Sequence, residues 1–257
     1  MFKQNKIDLH HIFFLIFLIF SLFEGYICKY SSYRFDPRDP SNICQNYFSN
    51  YWKENGFIEN LQVLFVLIAI ILIFKIAINS KIKFIKLFLI FKTLALIYYL
   101  GEEISWGQHF IKFNTPEIFT KLNHQNEVNL HNISNLFDQL PRTLVFIWCS
   151  LTIFIFKFLE KIKKINFSFQ YLFVPNKNLI YVSILLLSIS APDLIIDKFN
   201  LHPGHYDEIN KIYISEAKYY DLVSLNYIRF SELQELIFSF YFLSYAIFLN
   251  KIKKIFI

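Results

Sequence analysis

The chain has 257 residues, of which 55% are hydrophobic and only 18% are charged, and its mean hydropathy is +0.37. The apolar residues come in blocks of about 18 or more, the length that a bilayer core requires, which excludes an ordinary soluble globular protein. The net charge of +6 comes mainly from lysines at the ends of these blocks, so it indicates membrane topology and gives no reason to expect a nucleic-acid partner.

The apolar blocks predict an all-α fold, a polytopic transmembrane helix bundle of about six spans that forms a single membrane domain over residues 1–257. The predicted spans are His11–Cys28, Phe57–Ile78, Phe84–Trp106, Thr143–Leu159, Leu179–Ile196 and Phe230–Leu249. At a rise of about 1.5 Å per residue, each block can cross a hydrocarbon core of about 30 Å, some with help from flanking residues. The first block lacks a small-residue cleavage site, so we interpret it as an uncleaved span.

Lysines predict the orientation of the bundle. They concentrate in four segments: the N-terminus, the connection between spans two and three, the connection between spans four and five, and the C-terminus. With six spans all four segments fall on one side, which predicts cytoplasmic N- and C-termini, long outer loops and a multi-pass location in the cell membrane, such as a bacterial inner membrane. Lys92 lies inside span three, and we expect its long stem to carry the ammonium group back to the inner headgroups.

Carboxylates gather at the opposite, outer ends of the spans. These acids are Glu24, Glu59, Glu102, Glu103, Asp193, Glu232 and Glu235. A charged group inside a membrane is costly unless it faces the bundle interior, water or a cation, so the acids are expected to converge. Converging carboxylates repel one another unless they are protonated or paired. Arg142, Arg229, a histidine or a bound metal could supply the positive charge.

Residue spacing indicates which acids and histidines would share a helix face. His124, Glu127 and His131 are three and four residues apart, so a helix over residues 123–132 would place them on one stripe. A helix that continues past Gly107 would likewise align Glu102 with His109. Imidazole and carboxylate are ligand types that zinc and non-haem iron accept.

These considerations define a predicted site at the outer face, with zinc or iron as the divalent metal that it would bind. The predicted acid–base residues are Glu102, Glu103, Glu59 and Glu235. The predicted metal ligands are His131, Glu127, Glu103, Glu235 and Glu232.

Two sequence blocks near the end of span three carry a resemblance. The first reads Gly101-Glu102-Glu103-Ile104-Ser105-Trp106-Gly107-Gln108, and the second reads Asn123-His124-Gln125-Asn126-Glu127-Val128-Asn129-Leu130-His131-Asn132, with Thr115-Pro116-Glu117 between them. About 30 residues around the outer end of span three thereby resemble an uncharacterised family of bacterial polytopic membrane proteins. The resemblance implies a membrane location and carries no activity with it.

Three functions fit these features. The first is a metal-dependent enzyme that acts on a lipid or lipid-linked substrate at the outer leaflet, in which the metal would activate water. The second is an ion- or proton-coupled transporter that uses the acids as a relay, although its polar residues lie close to one face of the membrane. The third is a non-catalytic membrane subunit that docks a partner through its outer loops.

Overall fold

In the computed structural model of the chain, the described residues are 8–32, 56–122, 127–130, 133–134, 136–137, 140–150, 172, 179–198, 206–207, 212–213 and 230–257. The helices are α1 Leu9–Ser32, α2 Phe57–Asn79, α3 Lys83–Glu103, α4 Gln108–Ile111, α5 Glu117–Leu122, α6 at residues 140–150, α7 Leu179–Lys198 and α8 Phe230–Lys251. Two short 3₁₀ turns lie at Ser105–Gly107 and Lys253–Ile255. An antiparallel pair of two-residue strands, β1 Tyr206–Asp207 and β2 Ile212–Tyr213, is the exception to the predicted all-helical fold among these residues.

Three helices are long and apolar enough to cross a membrane. They are α2, α3 and the Glu232–Lys251 part of α8. Shorter apolar stretches lie at Leu9–Ser21 in α1 and Leu179–Ser190 in α7. The prediction of a mainly helical protein with segments that could span a membrane is therefore confirmed for these three helices, while most of the span predicted at residues 143–159 lies outside the described residues.

The chain divides into two compact units. The first combines Met1–Ile58 with Leu185–Gln234, and the second combines Glu59–Ile184 with Glu235–Ile257. These three helices differ in how many of their residues are buried: 83% of the most apolar stretch of α8, against 33% in α2 and 28% in α3. α8 is thus an interior helix, whereas most residues of α2 and α3 are exposed.

The sequence of α2 explains this exposure. Buried positions recur every three or four residues, and they are Ile58, Gln62, Val66, Ala69, Ile73 and Ile76. The opposite face is also apolar but exposed, with Leu64, Leu67, Ile71, Phe74 and Ile78. A helix that is apolar all round yet packed on one side only is suited to an environment in which lipid covers the other side.

At one end of the second unit, the turn between α2 and α3 meets the C-terminus. The Ser80 hydroxyl donates to the carbonyl of Phe256 over 3.1 Å, and the backbone amide of Lys81 donates to the same carbonyl over 3.4 Å. The lysine-rich turn and the lysine-rich C-terminus therefore lie together at one end of this unit.

Aromatic rings fill the interior of the second unit around Trp148. Its ring centre lies 5.3 Å from that of Tyr241, 5.3 Å from Tyr245 and 5.9 Å from Phe242. The Lys92 Nζ atom lies over the Trp148 ring, 3.2 Å from its centre. The prediction that Lys92 extends to the headgroups is therefore wrong, because aromatic rings within the helix bundle hold the amine by their π faces.

Candidate functional site

The site begins where α3 ends. The helix stops at Glu103, and three successive residues then take positive φ angles: Ser105 at 45°, Trp106 at 53° and Gly107 at 91°. The predicted span to Trp106 is thus too long by three residues, and the continuous helix past Gly107 that would align Glu102 with His109 is not formed. A left-handed conformation costs a non-glycine residue roughly 1–2 kcal/mol, so surrounding contacts must hold Ser105 and Trp106 in place.

Trp106 is held against the last turn of α3. Its indole folds over Gly101, where a β-carbon would lie 2.9 Å from the Cε3 atom of Trp106. The indole Nε1–H donates to Oε1 of Glu102 over 2.8 Å. Glycine is therefore required at position 101 because the ring occupies the space that any other side chain would fill.

Glu102 joins the end of α3 to the following loop. Its other oxygen, Oε2, accepts the backbone N–H of Leu130 over 2.7 Å, and the residue is only 6% exposed. Hydrogen bonds to a carboxylate are stronger than neutral ones, and in a buried place they also offset the loss of hydration. Both carboxylate oxygens thus take part in fixing local structure, which favours a holding role for Glu102 over its predicted acid–base role.

Glu127 makes a second attachment between the loop and the turn. Its Oε2 accepts the Ser105 hydroxyl over 3.0 Å and the Asn129 side-chain amide over 2.7 Å. The same Asn129 amide lies 3.2 Å from the Ser105 oxygen, so the three side chains form a closed triangle. Ser105 and Asn129 are fully buried. The left-handed conformation of Ser105 is thereby stabilised by two polar partners.

Gln108 makes a third attachment. Its Oε1 accepts the backbone N–H of Val128 over 2.8 Å, while its Nε2 donates to the Thr115 hydroxyl over 2.7 Å. One amide group therefore ties the start of α4 both to the segment before α5 and to the 127–130 loop. We call Glu102, Ser105, Gln108, Glu127 and Asn129 together the loop lock.

The loop lock corrects the predicted metal stripe. Residues 127–130 are not helical, so Glu127 does not lie on one helix face with His124 and His131. Both of those histidines lie outside the described residues. Glu127 instead points to Ser105, and its described partners are hydrogen-bond donors.

A second group of polar residues, which we call the acid–arginine cluster, lies at the ends of α3, α6 and α8. Arg142 Nη2 donates to Oε1 of Glu235 over 2.8 Å, with 33% and 13% of the two side chains exposed. Glu103, Glu235 and Arg142 all lie close enough to the Tyr99 hydroxyl to act on it electrostatically. The Ser239 hydroxyl donates to the Glu235 backbone carbonyl over 2.8 Å. A half-buried ion pair therefore lies at this end of the second unit, and Glu103 acts electrostatically on the same tyrosine as the pair.

The structure thus sorts the predicted site residues. It brings Glu103 and Glu235 into the acid–arginine cluster, and it places Glu102 and Glu127 in the loop lock. Glu59 lies half-buried in the first turn of α2. Glu232 lies in the first turn of α8 and belongs to the first compact unit. The predicted ligand His131 lies outside the described residues.

Reasoning from the sequence missed the polar residues that are not acids or histidines. Ser105, Gln108 and Asn129 lie in the two blocks on which the family resemblance rests. No sequence pattern, however, predicts which amide and hydroxyl groups will bond to each other when 20 or more residues separate them. Arg142, by contrast, was anticipated as one of several possible cationic partners for the converging acids. The position of these polar residues inside two distinctive blocks was the available signal.

Comparison of the chain with known protein families, with curated proteins and with solved structures finds no match.

Proposed function

We propose that the chain is a six-span protein of the cell membrane, of the bacterial inner-membrane type, with both termini in the cytoplasm. The contact of Ser80 with the carbonyl of Phe256 supports this orientation, because it joins two lysine-bearing segments at one end. Helices α1, α6 and α7 would complete the six spans.

Thiol labelling in intact cells tests this topology. In a chain whose natural cysteines are replaced by serine, Lys81→Cys and Lys112→Cys each add one thiol at an exposed position. A membrane-impermeant reagent should label Lys112→Cys in intact cells and Lys81→Cys only after the membrane is permeabilised. Labelling of both positions in intact cells would contradict the orientation.

For the outer end, we propose an enzyme that acts on a lipid or lipid-linked substrate with an anionic group. The observation that carries this proposal is the half-buried Arg142–Glu235 pair, with Glu103 in the same electrostatic environment. A guanidinium group recognises phosphate and carboxylate by paired hydrogen bonds, and a nearby carboxylate can accept or deliver a proton. In this proposal Arg142 binds the substrate anion, while Glu103 and Glu235 perform the acid–base chemistry.

Exposed apolar side chains favour a substrate that arrives from the bilayer. They lie along α3 and on the segment that follows it, and they include Leu94, Ile97, Trp106, Phe110 and Ile111. Lipid could cover these residues, so a substrate from the bilayer could reach this end of α3 along an apolar surface. If a divalent metal takes part, Glu103, Glu235 and the predicted ligand His131 would hold it and it would supply an activated water.

Lipid analysis of expressing cells tests the enzymatic proposal. Cells that produce the wild-type chain should gain or lose a lipid species relative to cells without it, and Glu103→Gln should abolish that difference. Glu117→Gln is the matched control, because Glu117 pairs with Lys121 on the surface and both side chains are more than two-thirds exposed. Identical lipid profiles in cells with wild type, with Glu103→Gln and without the chain would overturn the proposal.

The loop lock favours a second function, a membrane subunit whose outer loop docks a partner. A loop that is already held in one conformation loses less entropy when it binds. A protein that co-purifies with the wild type, and is lost with Glu102→Gln while the lipid profile is unchanged, would support docking over catalysis.

A further inference from the structure

A group of three metal-ligating side chains lies at the start of α1, in the first compact unit. Asp8, His10 and His11 each offer one ligand atom, and these atoms all lie within 4.8 Å of one another. The three residues belong neither to the loop lock nor to the acid–arginine cluster.

The local backbone explains why these side chains meet. Asp8 precedes the helix, and its carbonyl accepts the backbone N–H of His11 over 2.9 Å, which closes the first turn. Residues three apart on such a turn lie on one face, so Asp8 and His11 are neighbours. The His10 ring leans toward that of His11, with ring centres 4.2 Å apart and planes at 44°.

Burial distinguishes this group from ordinary surface histidines. His11 is only 3% exposed, and Asp8 and His10 are half-buried. A partly enclosed position reduces competition from water for the ligand atoms.

We propose that Asp8, His10 and His11 bind a divalent transition metal such as zinc. Two imidazoles and one carboxylate form a ligand set that zinc and Fe²⁺ accept, and it leaves coordination positions for water or a further ligand. Bonds of about 2.0–2.2 Å hold donor atoms closer together than 4.8 Å, so binding draws the three side chains inward by rotation. Because Asp8 lies before the helix and the histidines lie within it, the metal fixes the first turn of α1.

Zinc binding to the full-length protein tests the proposal. The chain is purified in detergent with a histidine-free affinity tag, stripped with a chelator and titrated with zinc alone, and bound zinc is measured by elemental analysis. We expect one zinc that is lost, or bound at least about tenfold more weakly, in Asp8→Asn, His10→Gln and His11→Gln, since even loss of an outer-shell partner weakens metal binding by about that factor. His205→Gln removes an imidazole elsewhere in the chain and should leave this zinc in place.

The titration also separates this site from the outer one. A zinc that is lost with Glu103→Gln or Glu235→Gln belongs to the acid–arginine cluster, whatever the N-terminal variants do. His10→Gln keeps the test valid if the buried His11 variant fails to fold, because His10 is half-buried. Wild-type protein without bound zinc, or zinc that all three N-terminal variants retain at wild-type affinity, would overturn the proposal.

Discussion

The Nζ atom of Lys92 lies 3.2 Å from the ring centre of Trp148, and the rings of Tyr245 and Phe88 lie 4.7 Å and 5.3 Å from the same atom. A cation over aromatic faces is stabilised by roughly 0.5–2 kcal/mol, with the larger values where water is excluded. The amine thereby links α3 to α6 and α8 in the interior of the second unit.

A double-mutant cycle should reveal this interaction. We expect Lys92→Met and Trp148→Leu together to lower the free energy of unfolding by about 1 kcal/mol less than the sum of the single changes. The free energy of unfolding of the two single variants and the double variant is measured in mixed detergent micelles. Phe91→Leu is the matched control, because Phe91 is 70% exposed and its effect should add to that of Lys92→Met. A Lys92–Trp148 coupling no larger than this control would contradict the cation–π contact.

The loop lock predicts that Glu102→Gln releases the segment at residues 127–130. An amide group presents only one acceptor oxygen, so either the Trp106 indole or the Leu130 N–H loses its acceptor, at about 1–3 kcal/mol. Hydrogen exchange of the peptide that contains Leu130 should therefore accelerate by at least about tenfold. Glu117→Gln should leave that exchange unchanged, since an exposed ion pair contributes little. Unchanged exchange in Glu102→Gln would show that Glu102 does not hold the loop.

The packing of Trp106 on Gly101 predicts a rescue experiment. Gly101→Ala should lower the thermal midpoint of the detergent-solubilised protein, because the new β-carbon collides with the indole. In protein that already carries Trp106→Leu, Gly101→Ala should lower the thermal midpoint by less than it does in the wild type. Gly107→Ala is the contrasting variant. A β-carbon there has space, at 3.8 Å from Ile111, but φ is +91°, so the loss of stability arises from backbone strain. Trp106→Leu should therefore not reduce that loss. Equal rescue of both alanine variants would contradict the assigned clash.

The Arg142–Glu235 pair predicts that removing one partner is worse than removing both. Glu235→Gln leaves the half-buried guanidinium without its carboxylate, whereas the double variant with Arg142→Gln leaves no uncompensated charge in the pair. The double variant should therefore unfold at a higher denaturant concentration than Glu235→Gln alone. If the destabilisation of the two single variants simply adds, the pair has no structural coupling.

The sequence by itself determined the environment of the chain. Apolar blocks of bilayer length can be stable only in lipid or in a large core, so α2, α3 and α8 were predictable to within a few residues at most ends. The acids at one end of the predicted spans were also recognisable as a group, because an isolated carboxylate is costly inside a membrane. Glu103 and Glu235 were therefore expected to share surroundings with a cation.

The tertiary structure alone decided what each of these acids does. Glu102 and Glu103 are neighbours in sequence, yet a helix places adjacent side chains about 100° apart, so one enters the loop lock and the other the acid–arginine cluster. The left-handed turn at Ser105, Trp106 and Gly107 depends on partners more than 20 residues away, and no local pattern encodes such a distant contact. Lys92 illustrates the same limit, because its length allowed either the headgroups or the rings, and packing around Trp148 selected the rings.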